Sequence, residues 1–149
     1  MSNILKISEA ASLALHVAVI LAANPDKLIP TREFASMLEA SEAHLSKVLQ
    51  RLDRAGIVNS TRGPKGGFNL VKPGDEITLL DVYEAIDGEL SPSNCLLNKN
   101  LCNGNCIMGD LIGKLNMLVK DYLSTTKLDS LTSTFGSIKA NAQKYNKDR

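Results

Sequence analysis

The apolar positions of the chain fall into several helical stripes and one pair of short extended runs. Ile7 to Ala23 reads as a helix, with Ser8 as its N-cap and Ala11, Leu15, Ala18 and Ala22 on one face. Asn24-Pro25-Asp26-Lys27 stops it, and Leu28-Ile29-Pro30 forms a short extended link. Thr31 is read as the cap of a short helix holding Phe34, Ala35 and Leu38; Glu39-Ala40 makes a turn, and Ser41 caps the next helix, which runs to about Ala55. There Leu45, Val48, Leu49 and Leu52 recur at i, i+3, i+4 and i+7, the spacing of a core-facing stripe. Gly56 follows, in the position that favours a left-handed cap. Ile57 to Thr61 and Phe68 to Val71 read as two strands of a hairpin whose tip is Arg62-Gly63-Pro64-Lys65-Gly66-Gly67.

Thr78 caps another helix through Ile86, with Leu79, Val82, Tyr83 and Ile86 inward, and Asp87-Gly88 ends it. Glu89 to Asn105 reads as a loop. Ile107 to Ser124 then carries Leu111, Leu115, Leu118, Val119 and Tyr122 on one stripe, which lies outside the small core and needs a partner surface. A short helix is expected over Leu128 to Leu131, and the polar segment Ala140 to Arg149 is expected to fray. A short helix, a turn, a second amphipathic helix and a glycine-rich hairpin make up a winged helix-turn-helix, within a fold that is mainly α with a small β-hairpin.

A chain of 149 residues fits one domain, or a small domain with an appendage. Aromatics are 4% and Trp is absent, so the core must be aliphatic. The net charge of +1 says nothing of nucleic acid, but its distribution does. From Ser41 to Lys72 there are six basic residues against two acidic ones, whereas Pro73 to Asn98 has six acidic residues and no Lys or Arg. A basic stripe beside an acidic segment fits a DNA-facing surface with a separate non-DNA side. The apolar run Ala10 to Ala23 follows no basic leader, is interrupted by Ser12 and His16, and is shorter than the ~20 residues of a membrane span, so the expected location is cytoplasmic, with no membrane partner.

On the second helix of the motif the outward positions are Glu42, Ala43, His44, Ser46, Lys47, Gln50, Arg51 and Arg54. The first turns of a recognition helix reach base edges, which makes Ala43, His44, Ser46 and Lys47 the specificity candidates; Gln50 and Arg51 could read a base or hold phosphate. Taken alone, such a face is as well explained as a solvated helix surface. In the wing, Arg62 and Lys65 supply charge where glycines permit close backbone approach, suiting a phosphate ridge or a minor groove. A plain turn with stray basic residues is the bland reading. A nucleotide-phosphate loop fails, because Lys65 precedes the glycine pair and no Gly-Lys-Ser/Thr opens a helix.

All three cysteines, Cys95, Cys102 and Cys106, lie in one loop with spacing Cys-x6-Cys-x3-Cys among Asn and Gly residues. Such a loop has little packing use for them. Three thiolates can cover three coordination sites of an iron–sulfur cluster or of zinc, or the thiols can switch by oxidation, Cys102 with Cys106. A helix starting at Ile107 would aim its N-terminus at Cys106 and favour a thiolate there. No enzyme is expected. His16 reads as a partly buried structural residue, His44 lies on the reading face, and no nucleophile has a supporting base. The runner-up of another class is a protein-binding winged helix.

The segment Leu45 to Gly67, LSKVLQRLDRAGIVNSTRGPKGG, together with TLLDVYEAIDG and the cysteine loop, resembles the Rrf2 family of bacterial winged-helix regulators over Leu5 to about Leu131. The resemblance implies a homodimer on double-stranded DNA with a palindromic operator, long C-terminal helices crossing at the interface through Leu111, Leu115, Leu118, Val119 and Tyr122, and Arg62 entering the minor groove. It implies a repressor switched by a 2Fe-2S or 4Fe-4S cluster on Cys95, Cys102 and Cys106, the alternative being a winged-helix regulator without a cluster, switched by thiol oxidation, zinc or a small ligand. The second cysteine gap is shorter here than in the best-known members, and no His follows Cys106. Asp110 is the nearest candidate fourth ligand, and Glu9 of the first helix is another. The organisation so implied is 1–88 for the winged helix-turn-helix domain, 89–106 for the cysteine loop, 107–131 for the dimerisation helix and short terminal helix, and 132–149 for a polar tail.

Overall fold

The computed structural model describes residues 5–91, 93–97, 99 and 101–135. The expectation for residues 136–149 lies outside them. Five α-helices and one hairpin follow the order α1 (Glu9–Ala22), α2 (Thr31–Leu38), α3 (Glu42–Arg54), β1 (Val58–Thr61), β2 (Gly67–Leu70), α4 (Leu79–Asp87) and α5 (Leu111–Thr125), with a terminal 3-10 segment over Leu128–Phe135.

Helix α1 is the centre of the core. Ala11, Ala14 and the run Val17 to Ala22 are all buried, because α3, α4, β2 and the terminal 3-10 segment pack around it. Small alanines let these neighbours approach closely, and Val, Ile and Leu fill the space between them. Ser8 caps α1 as read from the sequence, accepting from the Ala11 N–H at 3.0 Å, but the helix starts at Glu9 rather than Ile7. Thr31 turns out to be the first helical residue of α2. Pro30 holds the N-cap position and makes no side-chain cap bond there, its fixed φ pre-setting the helix entry. Glu39 ends α2 in the left-handed region, φ 50°.

Helix α3 is capped by Ser41 and buries Leu45, Val48, Leu49 and Leu52, as the spacing predicts. Strands β1 and β2 pair antiparallel in the register Val58 with Leu70 and Thr61 with Gly67. The link before α2 is more than a spacer: Ile29 and Phe68 exchange both backbone hydrogen bonds, at 3.0 and 2.9 Å, so Ile29 lies along the far edge of β2. This explains Gly67. A Cβ on it would come within 2.7–2.8 Å of the Ile29 backbone. Gly66 is equally constrained, since a Cβ there would meet the Thr61 carbonyl oxygen at 2.1 Å. Both wing glycines are thus required by contacts inside the fold before any ligand approaches.

Helix α4 begins with a full capping box between Thr78 and Asp81. Its start is stitched to the end of α5, where Leu79 N–H donates to the Thr126 carbonyl and Leu128 N–H to the Ile77 carbonyl, each at 3.0 Å. Helix α5 starts at Leu111, four residues later than the apolar pattern suggests. Gly109 adopts φ +56°, and turn bonds from Gly109 N–H to Cys106 O and from Leu111 N–H to Met108 O replace the helix there. The terminal helix expected over Leu128 to Leu131 is instead the longer 3-10 segment, anchored by buried Leu128 and Phe135. His16 is exposed rather than partly buried, its Nδ1 2.6 Å from the Ser12 carbonyl and its ring edge-on to Phe135. Among the described residues no helix is long and apolar enough to cross a membrane.

The Gly67→Ala variant should lose about 1–3 kcal/mol of unfolding free energy, because the added methyl overpacks against rigid backbone. Urea denaturation should show a lower midpoint at unchanged slope; an unchanged midpoint would mean that the Ile29 strand yields freely.

Candidate nucleic-acid interface and cysteine loop

The buried stripe of α3 fixes what its other faces can do. Opposite it stand Ala43, Lys47, Gln50 and Arg54, all exposed. Ser46 sits half-buried on one flank. His44 and Arg51 lie seven positions apart, almost two whole turns, so they share the other flank. That flank also meets two neighbouring helices. His44 Nδ1 lies 3.9 Å from a carboxylate oxygen of Glu9 at the start of α1, and the Arg51 guanidinium donates from Nη2 to the Ile86 carbonyl in the last turn of α4. Arg51, expected among the outward readers, is therefore committed to a neighbouring helix. Sequence periodicity could place Arg51 on a flank but could not show which helix lies beside that flank.

The wing presents Arg62 and Lys65 at an exposed tip, with Gly63 at φ +111° setting the turn. The wing is tied back to α3, where the Ser60 hydroxyl donates to the Asp53 carboxylate at 3.4 Å. Exposed Lys47, Arg54, Arg62 and Lys65 thus come from two elements of one unit.

The N-terminus of α1 and the C-terminus of α4 are clasped together. The Ser8 hydroxyl donates to the Asp87 carboxylate at 2.6 Å, and the Ser8 N–H to the other oxygen at 3.4 Å. Helix α4 leaves through Gly88 at φ +81°, and Glu84 accepts from the Leu90 N–H at 3.0 Å, holding the first residues of the cysteine loop. Tyr83 lies in this region, and its hydroxyl is raised above the usual tyrosine value, by burial first and then by the charges of Asp87 and Glu84.

Within the loop, Cys102 is exposed while Cys95 and Cys106 are half-buried. The Cys95 thiol donates to the Lys99 carbonyl at 3.6 Å. The Cys106 sulfur accepts the Met108 N–H at 3.4 Å, so it gains a backbone donor from the turn although α5 itself begins further on. Asn116 of α5 pins the loop by donating to the Ser93 carbonyl and the Asn94 side-chain oxygen at 3.0 and 3.3 Å. Three thiols are donors of the kind that bind an iron–sulfur cluster or zinc, but among the described residues no three Cys, His, Asp or Glu side chains converge as a metal site. Of the candidate fourth ligands, Asp110 pairs with Lys114 at 2.7 Å and Glu9 faces His44.

On α5, Leu111, Leu115, Leu118 and Tyr122 are exposed, while Val119 is half-buried against the core. Met117, 68% exposed, extends the apolar surface beyond the stripe read from the sequence.

Residues 7–134 match the Rrf2 family, described as an iron-dependent transcriptional regulator. A protein of Aquifex aeolicus named as an HTH-type transcriptional regulator is 30% identical over 83% of this chain and 89% of its own length. The HTH-type transcriptional regulator IscR of Pectobacterium atrosepticum is 29% identical over 70% of this chain and 65% of its own. Several other curated relatives are matched over 50–62% of their length. Among solved structures, CymR, the global cysteine regulator of B. subtilis, superposes with a TM-score of 0.76 at 28% identity, covering 88% of this chain and 98% of that one.

Proposed function

The chain belongs to the Rrf2 family of DNA-binding transcriptional regulators, and we propose that it works as a homodimer on a palindromic operator, most simply as a repressor, with the cysteine loop as its sensing element. The observation that carries the DNA-reading part is the joint presentation of the α3 face and the wing by one rigid unit. Ala43, His44, Ser46, Lys47 and Gln50 are the base-reading candidates, and Arg62 and Lys65 the wing contacts. Between Ser41 and Lys72 six basic residues stand against two acidic ones, and the acidic stretch from Asp75 to Glu89 follows in sequence and supplies α4.

Dimerisation through α5 accounts for its exposed stripe. Burying a leucine is worth about 1.5–3 kcal/mol, so several such side chains on each of two copies supply a substantial driving force. For sensing, Cys95, Cys102 and Cys106 supply soft donors, and the family is described as iron-dependent. The donors suit a cluster in chemistry and do not converge on one in this conformation. An iron–sulfur cluster is the first form of the sensor to test, with thiol oxidation and zinc the alternatives.

Lys47→Ala and Arg62→Ala should each weaken binding to a duplex enriched by the protein from a random-sequence pool, and each should reduce the slope of log affinity against log salt by about one. Slopes equal to wild type for both would remove these residues from the phosphate contacts, and absence of any enriched duplex would favour the protein-binding reading.

Leu118 is 66% exposed in the monomer, so Leu118→Glu should shift a dimer to monomer in sedimentation with little loss of helicity. A variant that stays dimeric would place the interface elsewhere.

Anaerobically purified protein should contain matched iron and sulfide with visible charge-transfer absorption, lost in Cys102→Ala together with any difference in DNA affinity between loaded and stripped protein. Colourless, iron-free protein after anaerobic reconstitution would leave thiol oxidation or zinc as the switch.

A further inference from the structure

We propose that Arg51 is a positioning residue and not a DNA contact: it ties the reading helix to the last turn of α4, where the chain enters the cysteine loop. Three observations support this. First, α4 ends with no basic residue of its own and with Asp87 in its last turn, in a stretch from Pro73 to Asn98 that has no Lys or Arg. The carbonyl end of a helix carries partial negative charge, and a cation placed there is stabilising. Arg51 supplies that cation from α3, and its guanidinium meets the Ile86 carbonyl.

Second, the neighbouring contacts converge on the same junction. His44, on the same flank of α3, faces Glu9. Ser8, beside Glu9, holds the Asp87 carboxylate. The start of α1, one flank of α3 and the end of α4 therefore meet through two side-chain contacts to α3 and one clasp between α1 and α4. Third, the covalent path leads directly onward: Gly88 and the Glu84-held Leu90 N–H follow at once and open the cysteine loop. The same guanidinium thus joins the reading helix to the helix that ends at the loop's entrance. An Arg suits this role because its planar guanidinium presents several donors in a fixed fork, whereas a Lys offers a point charge on a flexible stem.

The inference rests on DNA binding by α3, and its test separates the two. Operator affinity of the wild type, Arg51→Ala, Asp87→Ala and Lys47→Ala is measured by fluorescence anisotropy across a salt series on the duplex enriched by the wild type. Arg51→Ala should bind several-fold more weakly with the wild-type salt slope, since it removes no phosphate contact. Asp87→Ala, which removes the clasp from the α4 side and takes away no positive charge, should weaken binding in the same way at the same slope. Native-state hydrogen exchange should show faster exchange at the Leu90 amide and in the last turn of α4 in both variants, a change that a DNA-contact residue would not produce. A slope reduced by about one in Arg51→Ala, or affinity equal to wild type in both clasp variants, overturns the inference. An unchanged slope in Lys47→Ala would instead overturn the assignment of the reading face and leave Arg51 to be judged on its own slope and exchange.

Discussion

The burial of α1 is the constraint on which the other elements depend. A helix that buries Ala11, Ala14 and everything from Val17 to Ala22 has no solvent-facing surface over its last six residues. It must be surrounded, and α3, α4, β2 and the terminal 3-10 segment surround it. Because one helix touches all four, their relative placement is decided at its surface. The reading helix can present Ala43, Lys47, Gln50 and Arg54 outward only because Leu45, Val48, Leu49 and Leu52 are held inward as part of the same core.

The same constraint shapes the wing. Ile29 comes directly after the turn that ends α1, and its backbone pairs with Phe68. The wing's inner strand is therefore docked to the core along one edge and to β1 along the other. Gly67 admits the Ile29 backbone, and Gly66 admits the Thr61 carbonyl. A loop that reads in sequence as built for close approach to a ligand is first built for close approach to itself. Arg62 and Lys65 then project from a tip whose base is fixed.

Much of this was legible from the residues. The helical stripe of α3, the Ser8, Ser41 and Thr78 caps and the strand pair declare themselves through local spacing, since caps and periodicity act within a few positions. What failed to show in sequence depends on partners far along the chain or on competing local signals. Ile29 is one residue of strand pairing, too short to leave a period. Arg51 and His44 look like outward residues until α4 and α1 are placed beside them, and the partner of Arg51 lies 35 residues away. Ile107 and Met108 continue an apolar pattern that predicts an earlier start for α5. Gly109 at φ +56° breaks that pattern and leaves Ile107 89% exposed. The cysteines were legible as donors by type, whereas their convergence is a property of loop geometry that spacing does not encode.

Helix α4 connects the parts that a regulator must link. Its first residues are hydrogen-bonded to the end of α5 through Leu79 and Thr126, and its last residues are held by Ser8 and Arg51. Between them Leu79, Val82 and Ile86 are packed in the core, which holds the nine residues of α4 against α1 and α3. Beyond buried Leu123, α5 leaves the core, and its exposed stripe at Leu111, Leu115 and Leu118 is free to be covered by another surface. The end of α5 is bonded to α4 at one end, and the chain enters the cysteine loop from the other. Helix α4 meets the reading helix directly, through Arg51 and the Ile86 carbonyl, and again by way of α1, on which both helices pack, so the short helix between the wing and the cysteines is held to α3 by the same core that holds α3 itself.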